Sequence, residues 1–340
     1  MKIFPFNLYK MKPWTTLLVF VLLVLLIICV IYAKSPINDR DLTSIIDIPK
    51  GASFLQIVDI LDREGLVKNK FLFSVLAFSN GVAGSIKAGE YELATSMTPA
   101  QIIDKLVSGD IKKYPVTIPE DFTLKQIAER LAEKQLVEEK IFISVTTDPK
   151  FLASLRIEAP SAEGYLYPDT YDFNRAMTTR EIVKKMVSKF WKEVTPEMLK
   201  RAQELHLSTT EFITLASIIG KETGYKEEKK NVSAVFHNRL KKGIPLQSDP
   251  TAIYDLKSYS HKVKRRQLDN DSPYNTYKIK GLPPGPIANP GIDSLRAALD
   301  PAPVNYLYFV SNNDGTHQFS STLIAHNQAV LKYQIKRKKE

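Results

Sequence analysis

The chain has 340 residues, room for a membrane anchor and about two domains. Its composition, 44% hydrophobic and 25% charged, is that of a folded protein with a sizeable core, which excludes a disordered or low-complexity chain. Cys29 stands alone, so no intramolecular disulfide or cysteine-based metal site can form; the five histidines include no H-x-x-x-H pair, and neither a metal nor another cofactor is expected. The net charge of +10 is diffuse, with local clusters at His261–Arg266 and Lys336–Lys339, and reads as a solvated surface.

Pro13–Ala33 carries no charge and, as a helix rising about 1.5 Å per residue, is long enough to span a bilayer core. Lys2, Lys10 and Lys12 precede it without an acid, whereas Lys34 and Arg40 after it are offset by Asp39 and Asp41. That bias predicts a cytoplasmic N-terminus (1–12), a transmembrane helix (13–33) and everything beyond it outside, in the periplasm of an inner-membrane protein. Nucleic acid is thereby set aside as a partner. Trp14 and Tyr32 stand at the two ends of the span, as interfacial anchors do. The stretch is long for a signal peptide, Ile31-Tyr32-Ala33 is a poor cleavage site, and Ile28 before Cys29 is not the small residue a lipoprotein signal needs. An uncleaved anchor is expected.

Residues 34–43 form a polar tether, and then the sequence repeats. Ile46-Asp-Ile-Pro49 leads to Ser53-Phe-Leu-Gln56, and Val116-Thr-Ile-Pro119 leads to Thr123-Leu-Lys-Gln126, with Gln56 and Gln126 standing 70 residues apart. Thr98-Pro-Ala-Gln101 is a third copy of the helical part. In each copy Ser or Thr caps a helix and Gln closes a capping box. Phe54, Ile57, Val58 and Leu61, and likewise Leu124, Ile127, Ala128 and Leu131, make each helix one-faced. Ser85–Leu93 reads as a strand crossing Gly89. Residues 44–140 are thus expected to be small α+β modules. They resemble LysM domains, which implies glycan binding; a plain spacer between membrane and second half is the alternative.

In the second half, Ser208-Thr-Thr-Glu211 opens a helix with Phe212, Leu215, Ala216 and Ile219 as its apolar stripe. Glu222 falls on the edge of that stripe, and Gly224 is placed to end the helix. Burial raises a carboxyl's pKa, as a general acid working near neutral pH requires. A boundary Glu222 paired with Lys226 is the competing reading. A second helix is expected over Glu227–Lys242, acids first and bases last, to match the macrodipole. Asp249 before Pro250 reads as an N-cap or as a substrate contact. Ser272–Tyr277 and Gly281–Gly291 are rigid loops whose tyrosines and amides suit sugar rings, or simply pack a surface turn. Their glycines do not follow the order of a nucleotide-binding loop.

Ala216–Thr223, Val235–Leu240, Leu246–Thr251, Tyr274–Tyr277 and Gly281–Gly291, with Glu163–Tyr171 and Lys87–Tyr91 upstream, resemble in order the signatures of the endolytic murein transglycosylase, or YceG-like, family. The resemblance covers nearly the whole chain and places the family's catalytic glutamate on Glu222. One departure is that Gly220 stands where family members commonly carry a second Glu. The fold it implies is α+β: the anchor, the LysM-like modules (44–140), then a mixed α+β catalytic domain (141–335).

The implied reaction is lytic cleavage of the β-1,4 bond between N-acetylmuramic acid and N-acetylglucosamine inside a peptidoglycan strand, leaving a 1,6-anhydro end. One carboxyl suffices, because the sugar's own C6 hydroxyl is the nucleophile. Glu163, Tyr165, Asp169, Asn238, Gln247, Asp249, Tyr274, Asn275 and Tyr277 are then candidates for binding and orienting the strand. Association with peptidoglycan synthases, and a role in ending the growth of nascent strands near the membrane, are family-level expectations. The alternatives are a hydrolase that pairs Glu222 with Glu163 or Asp249, and a non-catalytic wall-binding scaffold.

Overall fold

The computed structural model describes residues 13–38, 41–256 and 267–335. Lys2, Lys10, Lys12, Asp39, Arg40 and the basic clusters His261–Arg266 and Lys336–Lys339 lie outside the described residues. The chain divides into two compact units, one holding residues up to Lys113 with Asn174–Ala176, the other Tyr114–Phe173 with the residues from Met177 onward. The division falls between the two full copies of the repeat. The second copy therefore falls in the unit that holds Glu222. The reason is its apolar face: Val116, Ile127, Leu131 and Phe142 share one continuous core with Phe190, Phe212 and Leu295.

In the first unit, helix α1 (Pro13–Lys34) contains Trp14–Lys34, a stretch of mean hydropathy 3.2 that is long and apolar enough to cross a membrane. Trp14 is exposed, but Tyr32 is buried and its hydroxyl donates to the Asn69 carbonyl at 3.2 Å, so it packs on the unit that follows. Strand β1 (Thr43–Ile48) pairs antiparallel with β2 (Gly89–Ala94), Ile46 opposite Tyr91. Between them run α2 (Phe54–Arg63) and α3 (Lys70–Ser79); α4 (Pro99–Ser108) follows. Ile46, Ile48, Tyr91 and Leu93 alternate inward, onto Ile57, Leu61, Phe73 and Leu106. The strand begins at Gly89 rather than Ser85. Gly89 has φ +140°, and the Ile111 side chain lies 2.9 Å from where its Cβ would be, so the chain enters the sheet there by a conformation that only glycine adopts easily.

The second unit opens with the same plan. Strand β3 (Tyr114–Thr117) is followed by α5 (Leu124–Glu133) and α6 (Glu139–Thr146), with α5 standing 70 residues after α2 at both ends. After α7 (Pro149–Ser154), strand β4 (Thr170–Phe173) returns antiparallel to β3, Val116 opposite Tyr171. Capping boxes close at Ser53, Thr98, Thr123 and Ser208, as the Ser/Thr-x-x-Gln/Glu spacing requires.

Helices α8 (Thr179–Glu193), α9 (Pro196–Glu204), α10 (Thr209–Glu222), α11 (Lys226–Lys242), α12 (Asp249–Ile253) and α13 (Ile292–Leu299) build the rest, with a hairpin of β5 (Tyr308–Ser311) and β6 (His317–Ser320) and a last helix, α14 (Leu323–Val330). Helix α10 packs against α9, α11, α12 and α13. Phe212 to Gly220 are buried without a break, so α10 is enclosed all round rather than one-faced. Its buried polar side chains are satisfied: the Thr214 hydroxyl donates to Thr210 O at 2.7 Å, and the Ser217 hydroxyl donates to Thr214 O and accepts the Ile287 N–H.

Candidate active site

Glu222 is the last residue of α10. The helix stops because Thr223 takes an extended conformation, its N–H still returning to Ile219 O at 3.3 Å. Gly224 is not in the left-handed region and is not the terminator. Lys226 pairs with Asp293 at 3.1 Å, which leaves Glu222 to other partners. Its carboxylate accepts a very short hydrogen bond from the Ser248 hydroxyl.

Ser248 occupies the N-cap position of α12, and Pro250 sits in the first turn. Its side chain does not cap that helix; it is turned onto Glu222 instead. Asp249 is the first residue of α12, and its Oδ1 accepts the Tyr277 hydroxyl at 2.5 Å. The segment before it is held by Arg239 from α11, whose Nη1 donates to the Pro245 and Leu246 carbonyls and to Gln247 Oε1, and whose Nε donates to Leu307 O at 2.7 Å. Gln247 has φ +51°, a strained backbone fixed by its N–H bond to Thr276 O at 3.1 Å. Ser248 N–H reaches Thr276 Oγ1 at 2.9 Å, and Thr251 Oγ1 lies 2.8 Å from the same atom. The 246–251 and 272–277 loops are thus knitted into one rigid support.

Burial pushes the Glu222 carboxyl up to about 7. The Ser248 hydrogen bond pulls it down, the Asp249 charge pushes it up, and the Arg239 guanidinium pulls it down. Tyr277 is raised by burial and then by Asp249. A carboxyl with a proton available near neutrality, fixed at a rigid helix end and only half-buried, has the properties of a general acid.

Gln247, Asp249 and Tyr277 are gathered around Glu222; the other residues expected to touch substrate have different surroundings. Glu163 is fully buried, and its carboxylate accepts from Leu124 N–H at 3.0 Å, Tyr254 Oη at 2.9 Å and Asn289 Nδ2 at 2.7 Å. It ties the first turn of α5 to two loops. Tyr165 is a core residue packed on Phe190 and Trp191, its hydroxyl 3.3 Å from Thr210 Oγ1. Asp169 is exposed and pairs with Lys189 at 3.2 Å. Asn238 donates to the Val304 and Tyr306 carbonyls, bracing that strand of chain against α11. Asn275 is buried and donates to the Leu268 and Asn270 carbonyls, and Tyr274 packs on Tyr254 with centroids 4.8 Å apart and ring planes tilted by 48°. Tyr165 and Asn275 thus have their side chains enclosed within the fold.

Ser248 and Arg239 were not singled out from the sequence. The N-cap expected at Asp249 falls one residue earlier, on Ser248, and Asp249 is the first residue of the helix. Among the described residues no group of three or more His, Cys, Asp or Glu side chains is placed to hold a metal ion.

The family model described as YceG-like matches residues 46–332, which includes every residue of this site. The chain belongs to the YceG-like family. Among its relatives are proteins named endolytic murein transglycosylase. The one from Bacillus subtilis is 36% identical over 326 residues, covering 89% of each chain. The one from Streptococcus pneumoniae serotype 2 is 30% identical over 320 residues, covering 85% of this chain and 58% of its own. The crystal structure of a YceG-like protein from Listeria monocytogenes, 36% identical, matches with a TM-score of 0.59 over 84% of this chain and 98% of that one.

Gly220, two residues before Glu222, has a close neighbour from another part of the chain. A Cβ there would lie 1.9 Å from Asp121 Oδ1, so the Asp121 carboxylate fills that space. The helix face two residues before Glu222 therefore still meets an acid, supplied from another part of the chain.

Proposed function

We propose that this chain is an endolytic murein transglycosylase in which Glu222 serves alone, first as acid and then as base. The observation that carries this reading is the Glu222 carboxyl itself, raised to about 7 at the end of an enclosed helix with the Ser248 hydroxyl on it. The names of the two relatives supply the substrate class.

Glu222 first gives its proton to the glycosidic oxygen as the bond to C1 of the muramic sugar breaks. The carboxylate it becomes is stabilised by the Ser248 hydrogen bond. It then takes the proton of the C6 hydroxyl while that oxygen bonds to C1, closing the 1,6-anhydro ring. The proton count balances and no water is consumed. Internal attack needs no second carboxylate, because the nucleophile is already held beside C1.

A hydrolase is the second reading, and one observation favours it: Asp249 is close enough to raise Glu222, and its own carboxylate is held by Tyr277. A carboxylate so placed can activate water. Glu163 is not among the groups that act on Glu222, and all its oxygens are engaged within the fold.

The apolar helix Pro13–Lys34, with Lys2, Lys10 and Lys12 before it, supports a single-pass anchor whose N-terminus is cytoplasmic and whose catalytic part faces the wall. The strand–helix–helix–strand order of the first unit supports a LysM-like, glycan-holding role. Cutting would then fall on nascent strands near the membrane, beside the synthases that extend them, and would end their growth.

The test is the product of the full chain acting on glycan strands in ¹⁸O-water. The new muramic end should be the anhydro form, lighter than the hydrolysed one by one water, and unlabelled. Glu222→Gln should lower turnover at least about 10²-fold with folding intact. Label at the new end would assign the attack to water and replace this reading with the hydrolase.

A further inference from the structure

We propose that a cavity beside Glu222 binds the short peptide that branches from the muramic sugar of the strand being cut. This rests on the murein reading above. The cavity has a volume of about 570 Å³; its lining includes Lys125, Lys221, Glu129, Asp255, Tyr254 and Pro250, with Leu124, Ile143 and Ile287 as its apolar part. That volume is ordinary for a site holding a small molecule or a few residues of peptide.

Two residues of its lining adjoin the site in sequence. Lys221 lines the cavity and Glu222 is the next residue of α10; Pro250 lines it and Asp249, beside Ser248, precedes it in α12. A sugar whose C1 is held at Glu222 therefore has its neighbouring substituents at the cavity's edge. In murein the peptide leaves from the same muramic ring whose C1 is cleaved.

The lining matches that branch in charge. The peptide carries a carboxylate near the sugar and an amine further along. The Lys221 ammonium has three donors, and one is spent on the Asp121 carbonyl at 3.2 Å. The Glu129 carboxylate is half-exposed and 3.9 Å from Lys125, which shares the wall; Asp255 adds a second acid, one of its oxygens accepting the Ser272 hydroxyl at 2.5 Å. The apolar stretch accepts the methyl of a small side chain. The Tyr254 hydroxyl, also in the lining, is committed to Glu163 at 2.9 Å.

The experiment compares the full chain in detergent on two strand preparations of equal length, one with peptides intact and one stripped of them by an amidase. The wild type should show KM at least tenfold lower on the peptide-bearing strands. In Ile143→Trp, which fills the cavity, and in Glu129→Lys, which reverses a wall charge, that ratio should fall towards one. A wild-type ratio of one, or a ratio unchanged in both variants, overturns the proposal. Calorimetric titration of full-length Glu222→Gln with N-acetylmuramoyl tripeptide separates the two readings. If neither strand is cut but the tripeptide binds, and binding is lost on adding Ile143→Trp, the enzymatic reading fails and the cavity stands. If the tripeptide does not bind, the cavity assignment fails whatever the activity.

Discussion

The Asp121 carboxylate occupies the space that any side chain at Gly220 would need, with Oδ1 1.9 Å from the Cβ position. Asp121 itself has φ +62°, and its Oδ1 is buried without a hydrogen-bond partner. Burial pushes this carboxyl up to about 6, against the pull of Lys229 and Lys221. Its backbone is pinned by N–H donation to Asn289 O at 2.8 Å, so the side chain cannot withdraw freely. Gly220→Ala should therefore overpack the last turn of α10 and lower stability by about 1–3 kcal/mol. Asp121→Ala should relieve the clash, so the double variant should be more stable than the sum of the two single losses predicts. Urea midpoints for the four proteins decide it, and strict additivity would show that the two residues do not compete for space.

Glu163 joins three donors, of which the Asn289 amide also reaches the Phe122 carbonyl at 2.9 Å. Glu163→Ala should leave Leu124 N–H, the Tyr254 hydroxyl and the Asn289 amide short of a partner, at about 1–3 kcal/mol for each one that water cannot reach. The pH dependence has a definite sign. Burial raises this carboxyl from 4.5 to about 7 in the folded chain. The folded state thus holds the proton more tightly than the unfolded one, and the contribution is full below about pH 4.5 and lost as pH rises through about 7. Glu163→Gln has no such titration, so the stability of wild type relative to Glu163→Gln should decline across that window. A flat difference would mean that Glu163 is charged throughout.

Removing a helix cap tests the repeat and the catalytic helix by the same measure. Ser53→Ala in the first unit and Ser208→Ala at the start of α10 should each cost about 1 kcal/mol in chemical unfolding. A loss near zero at Ser208 would show that the burial of α10 holds its first turn without the cap.

These caps were legible in the sequence because they depend on residues three apart, and the same locality exposed the 70-residue repeat and placed Glu222 at a helix end. What was not legible came from contacts between distant segments. Glu163, Tyr165 and Asn275 were candidates because they stand in segments that resemble the family's signatures. Glu163 is covered by Asn289, more than a hundred residues later, which also accepts the Leu166 N–H, while Tyr165 packs on Phe190 and Trp191 and Asn275 bonds the Leu268 and Asn270 carbonyls. Asp121 filling the Gly220 notch could not be read from α10 alone. Ser248 was hidden for a different reason: the cap before Pro250 was expected at Asp249, one residue on, and the bond Ser248 makes reaches 26 residues away in sequence.

The last prediction follows from the opposing influences on Glu222. A general acid must carry its proton, so the rate should fall on the alkaline side as Glu222 ionises, near the value of about 7 to which burial raises it. The Ser248 hydroxyl favours the ionised form, so Ser248→Ala should raise the pKa and move the alkaline limb of the kcat/KM profile to higher pH. The Asp249 charge disfavours the ionised form, so Asp249→Asn should lower the pKa and move the same limb to lower pH. Asp249→Asn should retain turnover below that limb, because internal attack by the C6 hydroxyl requires no second carboxylate, whereas in a hydrolase with Asp249 as base it would be lost at every pH. The profiles of wild type and the two variants, measured on the same strands, therefore test the acid and its neighbours together. Limbs that move in the same direction, or that do not move, would mean that the ionisation controlling the rate belongs to a group other than Glu222.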